Sequence, residues 1–401
     1  MPAEKLLERC ILRTVSALFA FAALLAGAAC CEAAQDTSVE ELISAARKRD
    51  PEAEYGLGMR AYEGRGVPRN ARQAYQLVER AAGRGHLEAQ NTLGYFLQHG
   101  IGTGENLEQA RGWYATAAAR GNADAQVNLG ALYQAGLGVP RDSVIALEWY
   151  RKAAAQGSAA GDYSVAYLLE TGDGVVPDAA AAAAGYARAA AKGLAAASYR
   201  LGLMVEEARI SARDYGSALD RHRVAALAGL PEAQVAAARL LLASGNAEDA
   251  TAALEWMKKA AGQGYAPAQR LLENADTQYR LGSVLEPAAG IDWLRKAAAQ
   301  GHVDAQLALG RAYEEGRGTP RDPVQTLDWY AKAASAGSAE AEYRLGNLYD
   351  QGMGTAADTV KARDHYSRAA SLGHEGARER MARLLGPGLP PQANDPFKGL
   401  R

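Results

Sequence analysis

The sequence predicts an all-α solenoid of about nine helix-turn-helix repeats of roughly 36 residues. Three observations carry that expectation. Gly85, Gly121, Gly157, Gly193, Gly229, Gly264, Gly301, Gly337 and Gly373 follow one another at intervals of 36, 36, 36, 36, 35, 37, 36 and 36 residues. An alanine pair precedes every one of them, from Ala81-Ala82 to Ala369-Ala370. Leu-Gly steps (Leu57-Gly58, Leu93-Gly94, Leu129-Gly130, Leu201-Gly202, Leu309-Gly310, Leu345-Gly346) and aromatic pairs (Trp113-Tyr114, Trp149-Tyr150, Trp329-Tyr330) recur with the same period. Self-similarity in this range means that each unit buries its apolar face against its neighbours.

Taken in order, residues 1–33 read as a secretory signal peptide. Lys5, Arg9 and Arg13 precede an apolar stretch from Val15 to Ala26, and small residues follow. The stretch is short for a membrane span. Ala26-Gly27-Ala28 and Cys31-Glu32-Ala33 both fit a small-x-small cleavage site, and Cys30 or Cys31 is the alternative, an acylated cysteine. Residues 36–50 form a leading helix with Val39, Leu42, Ile43 and Ala46 on one side. Residues 53–376 hold the nine repeats. In the third, Ala125, Leu129, Leu132 and Tyr133 share one face of a first helix. Gly136-Leu137-Gly138-Val139-Pro140 breaks it, and Asp142 caps the second helix. Ala146, Trp149, Tyr150, Ala153 and Ala154 make that helix's buried stripe, and Gly157 supplies the left-handed residue after it. The fourth unit departs at Val165-Ala166 and in an alanine run. The fifth lacks the glycine loop, and the seventh is irregular around Asn274–Gly290. Residues 377–385 form a capping helix and 386–401 a flexible, proline-rich tail.

The pattern A-x-x-x-L-G-x-x-Y-x-x-G-x-G-V-P-x-D, followed by A-x-x-W-Y-x-x-A-A-x-x-G, resembles the Sel-1-like repeat, a relative of the tetratricopeptide repeat. It runs from about Ala53 to Leu385. The resemblance implies a right-handed superhelix whose first helices line a concave wall. It also implies a non-enzymatic scaffold or adaptor binding a protein or peptide there. A cysteine-rich branch of the family has been associated with penicillin binding. This chain departs from it, since Cys10, Cys30 and Cys31 all lie in or beside the leader.

Composition narrows the chemistry. A formal charge of −2 and a pI near 6.4 signal no basic face for nucleic acid. There is no phosphate loop, no S-x-x-K and no H-E-x-x-H, and the repeats contain no thiolate for a metal. No catalytic residue, cofactor or metal is expected. His86, His302 and His374 each follow a repeat glycine where Asn122, Ser158 and Ser338 stand elsewhere, so they read as helix starts. His365 stands in a tryptophan slot. His99 and His222 stand alone.

Two slots four residues apart on the first helix remain as a candidate partner-binding groove. They hold Tyr55 and Met59, Asn91 and Tyr95, Tyr163 and Tyr167, Tyr199 and Leu203, Arg311 with Leu307, and Tyr343 and Asn347. Tyrosine gives a rigid contact area with a polar tip. Packing on neighbouring first helices is the other reading of the same residues. An exported scaffold of the cell envelope is the leading functional expectation, touching the membrane only through a lipid anchor if one is attached. A periplasmic regulator or assembly factor of exopolysaccharide production or export is the alternative. A β-lactamase-like or glycan-hydrolysing enzyme finds no clustered side chains to support it.

Overall fold

The computed structural model describes residues 38–385. The expected signal peptide and cleavage site, the candidate Cys30 and the expected tail 386–401 lie outside the described residues. The described residues are helical with short connections and contain no strand. They divide into two compact units that meet in sequence at Val224 and Ala225.

The first unit opens with α1 (Val39–Arg47), closed by a capping box between Ser38 and Glu41. Four helix pairs follow: α2 (Pro51–Glu63) with α3 (Ala71–Gly83), α4 (Leu87–His99) with α5 (Leu107–Ala119), α6 (Ala123–Ala135) with α7 (Ser143–Ala155), and α8 (Ala159–Thr171) with α9 (Ala179–Ala191). Then come α10 (Ala195–Glu206), the single turn α11 (Ala212–Tyr215) and α12 (Ala218–Leu227), along which the chain enters the second unit. That unit holds α13 (Pro231–Ala243) with α14 (Ala247–Gly262), α15 (Ala266–Glu273), α16 (Ala275–Val284) with α17 (Pro287–Ala299), α18 (Val303–Glu315) with α19 (Pro323–Ser335), α20 (Ala339–Gln351) with α21 (Thr359–Ser371), and α22 (Glu375–Leu385). Within each unit a helix packs mainly on the helix before it and the helix after it.

The expected stops and starts are made by the expected residues. Asp142 accepts hydrogen bonds from the Val144 and Ile145 amides and so caps α7. Asp322 and Asp358 do the same for α19 and α21. Gly136 (φ 67°) and Gly157 (φ 90°) take the left-handed conformation that ends a helix.

The Leu-Gly step has a steric cause. A Cβ placed on Gly130 would lie 2.7 Å from the Tyr150 ring, and one on Gly310 would lie 2.5 Å from the Tyr330 ring. Gly94 with Tyr114 and Gly346 with Tyr366 repeat the arrangement. Each ring is buried against backbone. Its hydroxyl is satisfied: Tyr114 donates to Gln98 at 2.9 Å, Tyr150 to Gln134 at 2.8 Å and Tyr330 to Glu314 at 2.5 Å. This corrects the expected stripe of the second helix. Ala146, Leu147, Tyr150 and Ala153 are its buried core, whereas Trp149 and Ala154 are half-buried at its flank. The tryptophans sit one position off the tyrosine face. Lys152, Lys259, Lys296 and Lys332, one turn on, lie over Trp149, Trp256, Trp293 and Trp329 at 3.9, 5.2, 4.3 and 3.9 Å.

The seventh repeat differs from the count made from Gly264. α15 stops at Asn274, which caps a new helix through the Thr277 amide. The repeat therefore restarts at Ala275, and Leu281-Gly282 is its Leu-Gly step. Only Leu285 and Glu286 separate α16 from α17, where Gly352 to Asp358 separate α20 from α21. Leu294, not an aromatic ring, meets Gly282. A Cβ on Gly290 would lie 2.5 Å from the Gly282 carbonyl oxygen, so the two helices cross backbone to backbone.

Candidate partner-binding site

The side chains offered by sequence for a groove fall into two sets. Tyr55, Met59 and Tyr163 are buried. Tyr55 and Met59 belong to one core cluster, with the Tyr55 hydroxyl hydrogen-bonded to Thr92 at 3.3 Å. Tyr163 belongs to another, its ring edge-on to Tyr186 at 5.1 Å, and burial pushes its hydroxyl pKa up to about 12. For these three the packing reading holds: Tyr55 reaches Thr92 on the next first helix, and Tyr163 packs on Tyr186 of its own repeat's second helix.

The others are half-buried. Asn91 accepts from Asn128 at 2.9 Å, and Tyr95 packs its ring on His99 at 4.4 Å. Tyr167 lies under the Arg200 guanidinium at 5.9 Å, and Tyr199 lies 5.3 Å from His222. Leu203 is part-covered on α10. Arg311 donates to Glu340 at 2.9 Å. Tyr343 stacks on His374 at 4.3 Å, and Asn347 accepts from the Tyr366 hydroxyl at 2.8 Å.

The histidines after the repeat glycines are helix caps, as their slot suggested. In His86, His302 and His374, Nδ1 accepts from the amide of Ala89, Ala305 or Ala377 at 3.0, 3.2 and 3.2 Å. Nε2 then faces a carboxylate in the preceding repeat: Glu52 at 2.9 Å, Asp276 at 3.1 Å and Glu340 at 3.0 Å. The ring packs on that repeat's tyrosine, tilted against Tyr55 and stacked on Tyr279 and Tyr343. Each is a joint between repeats.

The four buried carboxylate residues, Glu54, Asp162, Glu170 and Glu342, are likewise paired. Glu54 meets Arg80 and Arg84, Asp162 meets Arg188 and Lys192, and Glu342 meets Arg368 and His365. At the same slot Gln90, Gln126, Gln234 and Gln306 donate to the carbonyl eight residues earlier, in the last turn of the preceding helix. Burial alone would raise the Glu170 carboxyl. Hydrogen bonds from Arg200, Tyr186 and Arg209 outweigh it and hold the group below its ordinary value. Such satisfied pairs lack the free, poised group that acid–base chemistry needs. Among the described residues no cluster of three or more His, Cys, Asp or Glu could hold a metal ion, and no helix is long and apolar enough to cross a membrane.

One feature of this face is open. Where α16, α17 and α18 meet, a cavity of about 310 Å³ opens to solvent. Leu285, Ile291, Leu294 and Ala312 form an apolar floor. Tyr279 and Ser283, Leu307 and Arg311 are the first-helix slots of the seventh and eighth repeats, and all four line it. In the first repeats the loop residues Val67, Ile101 and Leu137 pack against the core. The seventh has lost that loop, and Leu285 of the shortened connection and Pro287 just after it line the cavity instead. Of these slot residues sequence reading named only Leu307 and Arg311. Tyr279 and Ser283 were legible in Tyr279-Arg280-Leu281-Gly282, the same four residues as Tyr343-Arg344-Leu345-Gly346, but the count from Gly264 placed them out of register.

A sequence profile of the Sel1 repeat matches residues 51–86, 87–122, 123–158, 159–194, 231–265, 275–302, 303–338 and 339–374. The match confirms the restart at Ala275 and leaves the fifth unit, 195–230, unmatched. The chain is similar to the protective antigen c5321 of uropathogenic Escherichia coli, described as displaying an SLR fold. The two are 31% identical over 86% of this chain and 74% of that one, with a TM-score of 0.47. It is similar also to a Sel1 repeat protein from Oxalobacter formigenes, 24% identical over 79% of this chain and 96% of that one, with a TM-score of 0.35. No curated protein matches significantly.

Proposed function

The chain belongs to the Sel1-repeat family, and from that premise we propose that it is a non-enzymatic scaffold of the bacterial cell envelope. It holds a protein or peptide partner on its first-helix face. Sel1-repeat proteins are generally protein-interaction scaffolds. The observation that carries the reading here is the open cavity on the first-helix face, lined by slot residues of the seventh and eighth repeats. The charged leader followed by an apolar stretch supports an exported location, with Cys30 as the candidate lipid attachment.

The test is cross-linked capture from native envelope extract with the wild-type chain and with Ser283→Phe, which changes an exposed cavity residue. Thermal melting serves as the folding control. A partner lost from the variant at unchanged melting temperature supports the reading. A protein fractionating with the cytosol, or capturing nothing specific, removes it.

A further inference from the structure

We propose that the cavity between the seventh and eighth repeats receives one long basic side chain, lysine or arginine, from an extended segment of the partner. The proposal rests on the scaffold reading and names the chemistry of its anchor. Size comes first. About 310 Å³ lies at the bottom of the range for ligand pockets, roughly 300–1,000 Å³, so it suits one side chain with its main chain and not a cofactor. The floor of Leu285, Ile291 and Leu294 matches an aliphatic stem.

Charge selects the tip. Four charged residues line the cavity: Asp304, Arg311, Glu315 and Arg317. Arg311 donates through Nη2 to Glu340 at 2.9 Å, its Nε being buried and unpartnered among the described residues, and Arg317 lies 3.8 Å from Glu315. Asp304 has no hydrogen bond or ion pair from its side chain among the described residues. The reason lies in the next repeat. Asp304 occupies the slot of Glu52, Asp276 and Glu340, each of which meets the capping histidine of the following repeat. After Asp304 that cap is Ser338, whose hydroxyl accepts from the Ala341 amide. The joint's carboxylate is present and its imidazole is missing. Tyr279, stacked on His302 at 4.6 Å, lines the same cavity and offers an aromatic ring to a cation. An unpaired carboxylate, an aromatic ring and an apolar floor suit a basic side chain that lays its methylenes inside and its charge at the rim.

The experiment is a methyl-NMR titration of the full chain with four end-capped pentapeptides, Gly-Gly-X-Gly-Gly, in which X is lysine, arginine, norleucine or glutamate. The lysine and arginine peptides should shift the Ile291, Leu294 and Leu307 methyls saturably. Asp304→Asn should weaken them by about two- to five-fold, the worth of an exposed ion pair, and Ser283→Phe should abolish the shifts. Equal or tighter binding of the norleucine or glutamate peptide overturns the proposal, as do shifts centred elsewhere or an indifferent Asp304→Asn. A partner still captured by Ser283→Phe and by Asp304→Asn overturns it as well, while leaving a scaffold that binds elsewhere on the chain.

Discussion

At the scale of single residues, the fold depends on an exchange of volume between a glycine and a ring. Gly310 has no room for a methyl group because Tyr330 occupies it. Gly310→Ala should therefore cost about 1–3 kcal/mol, the usual penalty for overpacking, in urea denaturation. The paired aromatic residues should separate in the same assay. Tyr150→Ala leaves a buried cavity and strands the Gln134 amide, for roughly 3–5 kcal/mol. Trp149→Ala removes a half-covered ring and a lysine contact, for roughly 1–2 kcal/mol. Equal losses would mean that the two rings share one environment. His222 takes the tyrosine slot in the fifth unit. It is buried against Gly202, with Nε2 on Glu206 at 2.9 Å and Nδ1 unpartnered among the described residues. Burial lowers its pKa below the ordinary 6.5, against the pull of Glu206. The unfolded chain then binds the proton first. Stability is complete above about pH 6.5 and declines as the pH falls from there toward the folded-state pKa. Denaturation midpoints between pH 7.5 and 5 should show that slope in the wild type and a shallower one in His222→Phe, the remainder coming from His99, whose pKa burial also lowers.

At the scale of helices and joints, the period that announced the fold also concealed its main irregularity. Glycine spacing was enough to place most first and second helices, because each glycine ends a helix and each Asp or Asn after the loop starts one. The same spacing holds across the seventh unit for a different reason. α15 is an added helix and the α16–α17 connection is shortened, so insertion and deletion nearly cancel. A clock that reads only glycines cannot register that exchange. Burial of Tyr55 and Tyr163 was also hidden, since a tyrosine has the same sequence signature on a binding wall as between packed helices. The histidine joints are a testable exception to generic capping. His374→Ala should lose about 1 kcal/mol of cap energy plus the stack on Tyr343. His374→Asn should restore the cap, as Asn122 does for α6, without the link to Glu340. Hydrogen exchange at the Ala377 amide separates the two. It should quicken in the alanine variant and stay near wild type in the asparagine variant, and parallel behaviour would make the ring's stacking, not its Nδ1, the working part.

At the scale of the whole chain, stability should be local. The cores form separate clusters: one reaches from Tyr55 to Leu132, one surrounds Tyr186, and in the second unit others centre on Leu309, Tyr330 and Tyr366. Within each unit helices pack on sequence neighbours, so no single core sums over distant segments. In such an architecture free energy is close to a sum of repeat and nearest-neighbour terms, and damage spreads only as far as those terms couple. Tyr150→Ala removes the side chain around which α6, α7 and α8 meet. Native-state hydrogen exchange should accelerate strongly across Ala123–Thr171, weaken in effect through the adjoining pairs, and leave Val303–Ser371 at wild-type rates. The reverse experiment, Tyr330→Ala, should loosen Val303–Gln351 and spare Leu87–Ala155. Uniform acceleration along the chain from either change would mean that the units unfold as one cooperative body and that the clusters are joined by energies larger than their separation suggests. Confined effects would mean that coupling does not carry across the irregular fifth unit, which alone among the nine lacks both the glycine loop and a match to the repeat profile.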